Sequence, residues 1–415
     1  FSRLSNFSLS NAISGFNLTE SDLDLTLTQT EMEITGVGNI NKVLSNISLF
    51  QKFDEVDKLN LNISGEWNES QLFLLGLDIK KYFSGRAFVN IKSTTKNKKL
   101  NYSNIKVNLE KSYIQIDPIL WKKNYGEPLS VNFSYEKNLN EVYSINNLNV
   151  LSDNFEANGN IKVMSDGRFN IDFSKLIFNQ NNISLSARQR KPNGIIVAIY
   201  GKKVNIEPFV KSFFISSNKL NLPPLQIIAD IDEIKLNSDR TIFNAKGELF
   251  YDGTFLDNMN VSGLINKYYP VIIKINKNNN NSREFYLSSS RAGGLAESTG
   301  LFADAEGGTA IVNAKIINDN ERSYLEGVIS INNIKLIKVP SLARLLSLAS
   351  LKGIYDILNG EGINFIRTKI PFKFNGNSFK IIDARAYGPS LGINLDGEID
   401  NISDTMDIEG TLVPA

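Results

Sequence analysis

Acidic side chains are the first candidates for chemistry in this sequence, because paired carboxylates serve as general acid and base or nucleophile in glycosidases. Asp22 and Asp24 form one pair, and Asp230 and Asp232 form another. A spacing of two residues in a strand puts both carboxylates on one face, normally the solvated one. No cluster of acids with aromatic residues accompanies either pair. We therefore interpret both as surface pairs and keep a carbohydrate-active site as a less favoured alternative.

Two residue types that dominate catalysis are missing. The sequence contains no histidine and no cysteine, which removes the Ser-His-Asp triad, the HExxH zinc site and thiol chemistry. Gly36-Val37-Gly38 begins like a dinucleotide fingerprint, but Asn41 stands where the third glycine belongs. The sequence predicts no enzymatic activity, no cofactor and no metal site.

Composition indicates a folded and nearly neutral protein. The 415 residues are 42% hydrophobic and 21% charged, values typical of an ordered chain. The 45 basic and 44 acidic residues give a formal net charge of +1, and no basic run stands out, which argues against nucleic-acid binding. No apolar run approaches the roughly 18 residues of a transmembrane helix.

Alternation of apolar and polar residues dominates the chain and predicts β-strands. Leu391, Ile393 and Leu395 alternate with small or polar residues, and 227–236 and 271–275 are similar strand-like segments. One strand and turn per roughly 12 to 15 residues gives about 30 strands. Because an open sheet of that size must curl, we predict an all-β, mainly antiparallel fold shaped as an elongated, curled β-groove.

One long helical pattern interrupts the strands. Leu342, Leu345, Leu346 and Ala349 are spaced i, i+3, i+4 and i+7, which predicts an amphipathic helix over 342–358. Apolar residues cover more than one face of this helix, so it must be buried or in contact with lipid. We predict that it caps the apolar face of the sheet, either as ordinary core or as a movable lid.

Shorter features allow less definite predictions. Residues 42–58 are compatible with a short helix, 72–81 with a short helix and then a strand, and 295–302 with a short helix.

The many asparagines are interpreted as turns and solvated strand faces. Glycines that recur after strand-like segments are interpreted as hairpin corners that permit a bulge or tight bend. These glycines are Gly65, Gly159, Gly247, Gly327 and Gly397.

Several segments together resemble one family. The longest are a proline with a Leu/Ala/Ser-rich helix at 340–358, GEGINF at 360–365, ARAYGPSLGINLDGEID at 384–400 and GTLVPA at 410–415. Weaker ones are 107–128, with a Leu-Trp-Lys-Lys corner, and 202–209. In these segments the chain resembles the AsmA-like family of bacterial envelope proteins. The family often has Asp where this chain has Arg291. We interpret Trp121, in the Leu-Trp-Lys-Lys corner, as a core anchor.

The resemblance implies a periplasmic protein of a Gram-negative bacterium, tethered to the inner membrane by an N-terminal helix outside this sequence. It implies a fragment lacking both native ends, with an elongated β-sheet or groove region at 1–290. An AsmA-like module at 291–415 would continue the same sheet. AsmA-like proteins are viewed as bridge-like β-grooves that carry phospholipid towards the outer membrane. The implied partners are phospholipid, both membranes and other envelope proteins.

The residues expected to line the apolar face follow from the strand alternation and the helical stripe. An open face would be a groove for acyl chains, whereas a face covered by another sheet would be a core, and the sequence does not decide between them. A structural assembly factor that binds protein partners through sheet edges is a further alternative. The predicted lining residues are Leu342, Leu346, Ile354, Phe372, Phe374, Leu391, Ile393, Leu395, Ile408 and Leu412.

Overall fold

The protein is all-β, as the alternation predicts. A computed structural model describes residues 1–13, 16–55, 58–96, 99–137, 142–190, 194–207, 223–237, 240–278, 282–299, 305–318, 323–337, 362–389, 391–400, 403 and 405–414. Strands hold 78% of the described residues and helices 4%, which settles the fold class. Two compact units divide the chain, residues 1–190 and residues 191–415.

The first unit contains β1 (Ser2–Ile13), β2 (Phe16–Leu27), β3 (Glu31–Ile40), β4 (Val43–Lys52), β5 (Leu59–Asn68), β6 (Phe83–Lys96), β7 (Lys99–Asn108), β8 (Ser112–Ile116), β9 (Trp121–Lys123), β10 (Leu129–Lys137), β11 (Tyr143–Ser152), β12 (Phe155–Val163), β13 (Phe169–Phe178) and β14 (Asn181–Arg190). It also contains helix α1 (Glu69–Leu74) and a 3-10 turn at Asp117–Ile119.

The second unit contains β15 (Gly194–Asn205), β16 (Leu225–Asn237), β17 (Arg240–Tyr251), β18 (Leu256–Ile265), β19 (Tyr269–Lys277), β20 (Arg283–Ser289), β21 (Ala305–Asn318), β22 (Ser323–Leu336), β23 (Ile363–Phe374), β24 (Ser378–Tyr387), β25 (Leu391–Asp400) and β26 (Thr405–Pro414). Helix α2 (Ala292–Thr299) lies between β20 and β21. The domain boundary predicted at 290 therefore falls inside this unit, just before α2.

Strands of the first unit pair as an antiparallel meander. Pairing follows sequence order from β1 to β7, passes from β7 to β10, and continues in order to β14. Strands β8 and β9 form a small extension along the start of β6. Leu61 and Ile63 are buried, although the described residues of this unit place only one short helix beside the sheet. The sheet therefore curls over its own apolar face.

The second unit begins with a parallel pair. Strand β15 runs parallel to β16, and each later strand pairs antiparallel with the next, through β26. Ile231 and Leu391 are almost fully buried. This sheet also curls, and α2 covers part of its apolar face.

Asparagine shapes the sheet more than the sequence suggested. Asn147 lies inside β11 with a φ of 53°, next to a register shift, and its N–H donates to Asn160 Oδ1 on β12 at 3.0 Å. Asp383 repeats the arrangement in β24, donating to Asp396 Oδ1 on β25 at 2.6 Å. Each bulge bends its strand, and a side chain of the next strand accepts the freed N–H. Left-handed pairs typical of type I′ hairpin turns occur at Asn41-Lys42, Asn179-Gln180 and Asn266-Lys267.

The interpretation of the recurring glycines as hairpin corners is wrong. Gly65, Gly159, Gly247, Gly327 and Gly397 all lie inside strands. A Cβ on Gly159 would lie 2.2 Å from Asp172 O on the next strand, where Phe173 Cδ1 would be only 2.6 Å away. The ring therefore occupies the space that a side chain at Gly159 would fill. Close approach between neighbouring strands, and not a chain reversal, requires glycine there.

Short helices occur close to two predicted positions. Helix α1 starts at Glu69, where Asn68 Oδ1 accepts the Gln71 N–H at 3.0 Å and Gln71 Oε1 accepts the Asn68 N–H at 2.9 Å. This capping box fixes the start, three residues before the predicted one. The strand predicted after this helix, up to residue 81, is wrong, because no strand precedes β6 there. Helix α2 starts at Ala292 and not at Leu295.

A helix over 42–58 is also wrong, because β4 occupies Val43–Lys52 with alternate side chains buried against β3 and β5. The amphipathic helix predicted over 342–358 lies outside the described residues. Among the helices within the described ranges, none is long and apolar enough to cross a membrane.

Gly327→Ala tests the close approach. The new Cβ would lie 2.2 Å from Asn313 O and 2.5 Å from Ala314 Cα, so one strand must shift. We expect a loss of about 1–3 kcal/mol in the unfolding free energy, measured by urea titration. Gly194→Ala is the control, because its Cβ would lie 3.6 Å from its nearest neighbour, Pro224 O. Equal midpoints for the two variants would contradict the steric explanation.

Candidate functional site

A continuous apolar row crosses the second unit and is the main candidate site. Cross-strand register places one residue of every strand from β15 to β26 in line, and each of the twelve is apolar or glycine. We call this line the central row. Its members are Val197, Ile227, Leu249, Met259, Ile275, Phe285, Ala314, Gly327, Phe372, Ile381, Gly397 and Ile408.

A second line of the same kind runs beside it, two residues away along each strand. We call it the adjacent row, and it crosses β15 to β23 without a polar residue. Side chains two apart in a strand share a face, so the two rows form one apolar band. The members of the adjacent row are Ile199, Ala229, Gly247, Val261, Ile273, Leu287, Val312, Ile329 and Ile370.

The opposite face of the same strands is charged. One residue away from the central row, a line across β19 to β26 consists only of polar and charged side chains. Glu326 and Lys373 pair there at 3.3 Å. We call this line the charged row. Its members are Asn276, Glu284, Lys315, Glu326, Lys373, Lys380, Glu398 and Asp407.

The first unit has the same two-sided organisation. An apolar row crosses eight neighbouring strands, and a polar row crosses seven of them one residue away. The apolar row is Gly65, Val89, Val107, Val131, Val150, Ala157, Leu176 and Ile183. The polar row is Ser64, Asn90, Lys106, Asn132, Asn149, Asn158 and Lys175.

Burial varies along the central row. Val197, Ile227, Leu249 and Met259 are partly exposed, so the band is accessible at β15 to β18. Towards the other end Phe372 is only 4% exposed and stacks on Phe379, with ring centroids 5.2 Å apart. The band is therefore accessible at β15 to β18 and packed as a core around Phe372, and Ile381 and Ile408 beyond it are again partly exposed.

The predicted lining residues fall into two groups. Phe372 and Ile408 belong to the central row, and Phe374 packs in the same cluster as Phe372. Leu391, Ile393, Leu395 and Leu412 pack together in a second cluster, which includes Ala292 and Leu295 of α2. Asn394 is exposed, so the alternation predicted for β25 is present.

Leu391 and Ile393 are buried in that second cluster, so neither is accessible to a ligand in this arrangement. Leu342, Leu346 and Ile354 lie outside the described residues. A role in lipid binding for the ten predicted residues stays a prediction.

Sequence reasoning missed the accessible part of the band. Ile227, Leu249 and Met259 lie in segments whose alternation was visible, but the residues aligned across strands were not. Only the pairing register shows that these side chains form one line.

Trp121 and Lys123 are structural residues of the first unit. Trp121 is buried, packs against Phe155 with tilted rings whose centroids are 4.6 Å apart, and donates from Nε1 to Asn154 Oδ1 at 3.3 Å, as expected of a core anchor. Lys123 is fully buried, and burial lowers the pKa of its ammonium. Its Nζ donates to the carbonyls of Glu110, Ser112 and Asn124 at 3.3, 2.8 and 3.0 Å. All three donors are used, so Lys123 joins backbone segments and has none left for a substrate.

A buried ion cluster bounds one end of the apolar band. Asp257 Oδ1 accepts hydrogen bonds from Arg283 Nη2 at 2.7 Å and Nε at 3.1 Å, and Lys277 Nζ donates to Asp257 Oδ2 at 2.7 Å. Burial alone would raise the pKa of Asp257, but the hydrogen bonds and charges of Lys277 and Arg283 outweigh it, so the pKa lies below its usual value. The Arg283 guanidinium also lies 4.5 Å from the Phe255 ring centroid. Asp252 Oδ2 lies 3.9 Å from Arg283 Nη2, so two carboxylates balance the two cations within the protein.

The acidic pairs proposed from sequence do not form a site in the described residues. Asp22 and Asp24 are exposed on β2, and Asp22 accepts the Asn6 N–H at 3.1 Å. Asp230 forms an exposed ion pair with Lys246 at 2.9 Å. Within the described ranges, no group of three or more acidic side chains is placed to hold a metal ion.

Comparison with known proteins adds no relative. Neither a protein-family model, nor a curated protein, nor a solved structure matches this chain. The AsmA-like resemblance therefore depends on the sequence segments alone.

Asp257 should make stability sensitive to acid. Because its folded pKa is lowered, its contribution is complete above its unfolded pKa of about 4 and is lost as pH falls through the folded value. Asp257→Asn leaves Arg283 buried with only the more distant Asp252 carboxylate, 3.9 Å away, and we expect a loss of about 3–5 kcal/mol at pH 7. Urea titrations at pH 7, 5 and 3 would measure both effects.

The Asp257→Asn variant should lose less stability than the wild type between pH 5 and pH 3. Asp383→Asn is the control, because Asp383 pairs with Arg385 on the surface and should change stability less. Equal acid sensitivity of wild type and Asp257→Asn would contradict the assignment.

Proposed function

We propose that this protein binds phospholipid acyl chains along the apolar band and supports lipid transport between the inner and outer membranes of a Gram-negative envelope. The observation that carries the proposal is the central row, which has no polar residue on any of twelve successive strands. The resemblance to AsmA-like proteins supports the periplasmic setting and the tether to the inner membrane.

The free energy of acyl-chain transfer explains why an uninterrupted row matters. Exposing a methylene to water costs about 0.8 kcal/mol, so a long acyl chain costs about 12 kcal/mol. A polar residue in the row would interrupt the apolar contact that offsets this cost. An acyl chain that moves along the band exchanges one apolar contact for the next, so its movement needs no covalent chemistry.

The length of the row suits an acyl chain. Twelve strands give eleven steps of about 4.8 Å, or roughly 50 Å along the sheet. One acyl chain reaches about half of the roughly 30 Å hydrocarbon thickness of a bilayer. The row is therefore longer than its proposed ligand, so the ligand can shift along it.

Accessibility supports a binding region on the N-terminal side of the second unit. Leu249 and Met259 of the central row and Val261 and Ile273 of the adjacent row are partly exposed. At β21 to β23, Val312, Ala314 and Phe372 of the two rows are buried in one cluster. We therefore place acyl-chain contact at β15 to β20.

Neighbouring isoleucines on β19 provide a matched test. Ile273 lies in the adjacent row between Val261 and Leu287, whereas Ile272 faces the other side between Ser262 and Ser288. Ile273→Gln puts an amide into the apolar band, and we expect it to lower co-purified phospholipid several-fold. Ile272→Gln should change it less than about twofold. Native mass spectrometry of the purified chain measures the bound lipid.

A photo-crosslinking residue at the same two positions tests the proposal in cells. Position 273 should crosslink to phospholipid, and position 272 should not. Crosslinks to proteins alone at both positions, with no lipid bound to the wild type, would overturn the proposal and favour a structural assembly factor.

A further inference from the structure

Arg291 lies at the edge of the apolar band and has no balancing anion among the described residues. It follows β20 directly and precedes α2. Its backbone is fixed by Ser289, whose Oγ accepts the Arg291 N–H at 3.2 Å and lies 3.3 Å from the Arg291 carbonyl. Its guanidinium lies 4.4 Å from the ring centroid of Tyr269, and its Nη1 donates to the Tyr269 hydroxyl.

The hydrogen bonding of this guanidinium is incomplete. Its Nε is buried and has no acceptor in the described ranges. No carboxylate in the described part of the chain lies within ion-pair distance of it, whereas Arg283 in the same unit has Asp257. A buried donor of a charged group without a partner is costly, so such a group commonly has an anion as its partner.

The surroundings of Arg291 are apolar and cationic. Tyr269 packs in a cluster with Ile265, Val271 and Leu295. Lys267, in the turn that precedes Tyr269, places its Nζ 5.1 Å from the Phe243 ring centroid. The turn between β18 and β19 therefore carries a second cation, two residues before Tyr269.

Tyr269 connects this cation to the apolar band. Tyr269, Val271 and Ile273 are alternate residues of β19 and share a face, and Ile273 belongs to the adjacent row. Four residues of strand separate Tyr269 from Ile273, a distance of about 13 Å. The other end of β19 carries Lys277, which Asp257 neutralises. The band is thus electrically balanced at one end and cationic at the other.

We infer that Arg291, stacked on Tyr269, binds a phosphate group through the guanidinium donors that Tyr269 does not use. Arginine suits this role, since its planar donors match the oxygens of phosphate. Together with the proposed function, on which this point depends, the ligand is an anionic phospholipid with its phosphate at Arg291 and its acyl chains on the band. A free phosphate would satisfy the same donors.

Calorimetric titration of the whole 415-residue chain tests the inference with three probes. These are inorganic phosphate, dihexanoyl phosphatidic acid and the uncharged dihexanoylglycerol. Wild type should bind phosphatidic acid at least tenfold more tightly than dihexanoylglycerol. Arg291→Gln should remove that difference and leave dihexanoylglycerol binding unchanged, and Arg291→Lys should keep part of it. Binding of inorganic phosphate would show that the anion alone is sufficient, and its absence that the lipid is required.

Arg385→Gln is the control, because Arg385 is exposed and paired with Asp383, and it should bind all probes as wild type does. The Arg291 Nε–H resonance of the wild type, followed by NMR during titration with phosphatidic acid, needs no substitution and should shift. An unshifted resonance, or unchanged phosphatidic acid binding in a folded Arg291→Gln variant, would overturn the inference. A different result would separate the two proposals. If Arg291 binds phosphatidic acid or phosphate but the protein does not bind dihexanoylglycerol, the anion site is supported and the apolar band is not an acyl-chain site.

Discussion

The alignment of neighbouring strands is the constraint on which the sheet depends. Side chains alternate between faces, so a slip of one residue turns a whole strand over. Such a slip in β19 would bring Ile272 and Lys274 to the side now occupied by Ile273 and would interrupt the apolar band. On the other face the charged row opposes a slip of β21, because Lys315 lies directly between Glu284 and Glu326.

Curling of the sheet is the second requirement. In each unit the described residues place little on the apolar face apart from the sheet itself, so the sheet must cover its own face. Left-handed Asn147 and Asp383 bend strands at bulges, and each freed N–H finds an acceptor on the next strand. Gly159 and Gly327 allow neighbouring strands to approach on the apolar side. Polar residues and glycines, and not apolar ones, thus decide how far the apolar face closes.

The fold class was predictable because alternation is a local property that each strand displays separately. Hairpin pairing was largely predictable too, since short turns leave few alternatives. The position of Gly327 inside β22 was not, because a glycine after an alternating segment looks the same at a corner and at a close approach. Residues 42–58 were predicted wrongly for another reason. Their local pattern was compatible with a helix, but pairing with β3 and β5 makes most of the segment a strand. The central row and the contact of Arg291 with Tyr269 depend on the pairing of strands, which no single segment displays.

Each strand from β15 to β26 contributes one residue to the central row, so the number of strands sets the length of the band. Adding or deleting one hairpin changes the span by two inter-strand steps, or about 10 Å, without altering the pairing of the other strands. A gene encoding such a meander can therefore match the distance between two surfaces by gaining or losing segments of about 25 residues. Distance then becomes a heritable trait that evolves in whole steps, independently of the chemistry on either face.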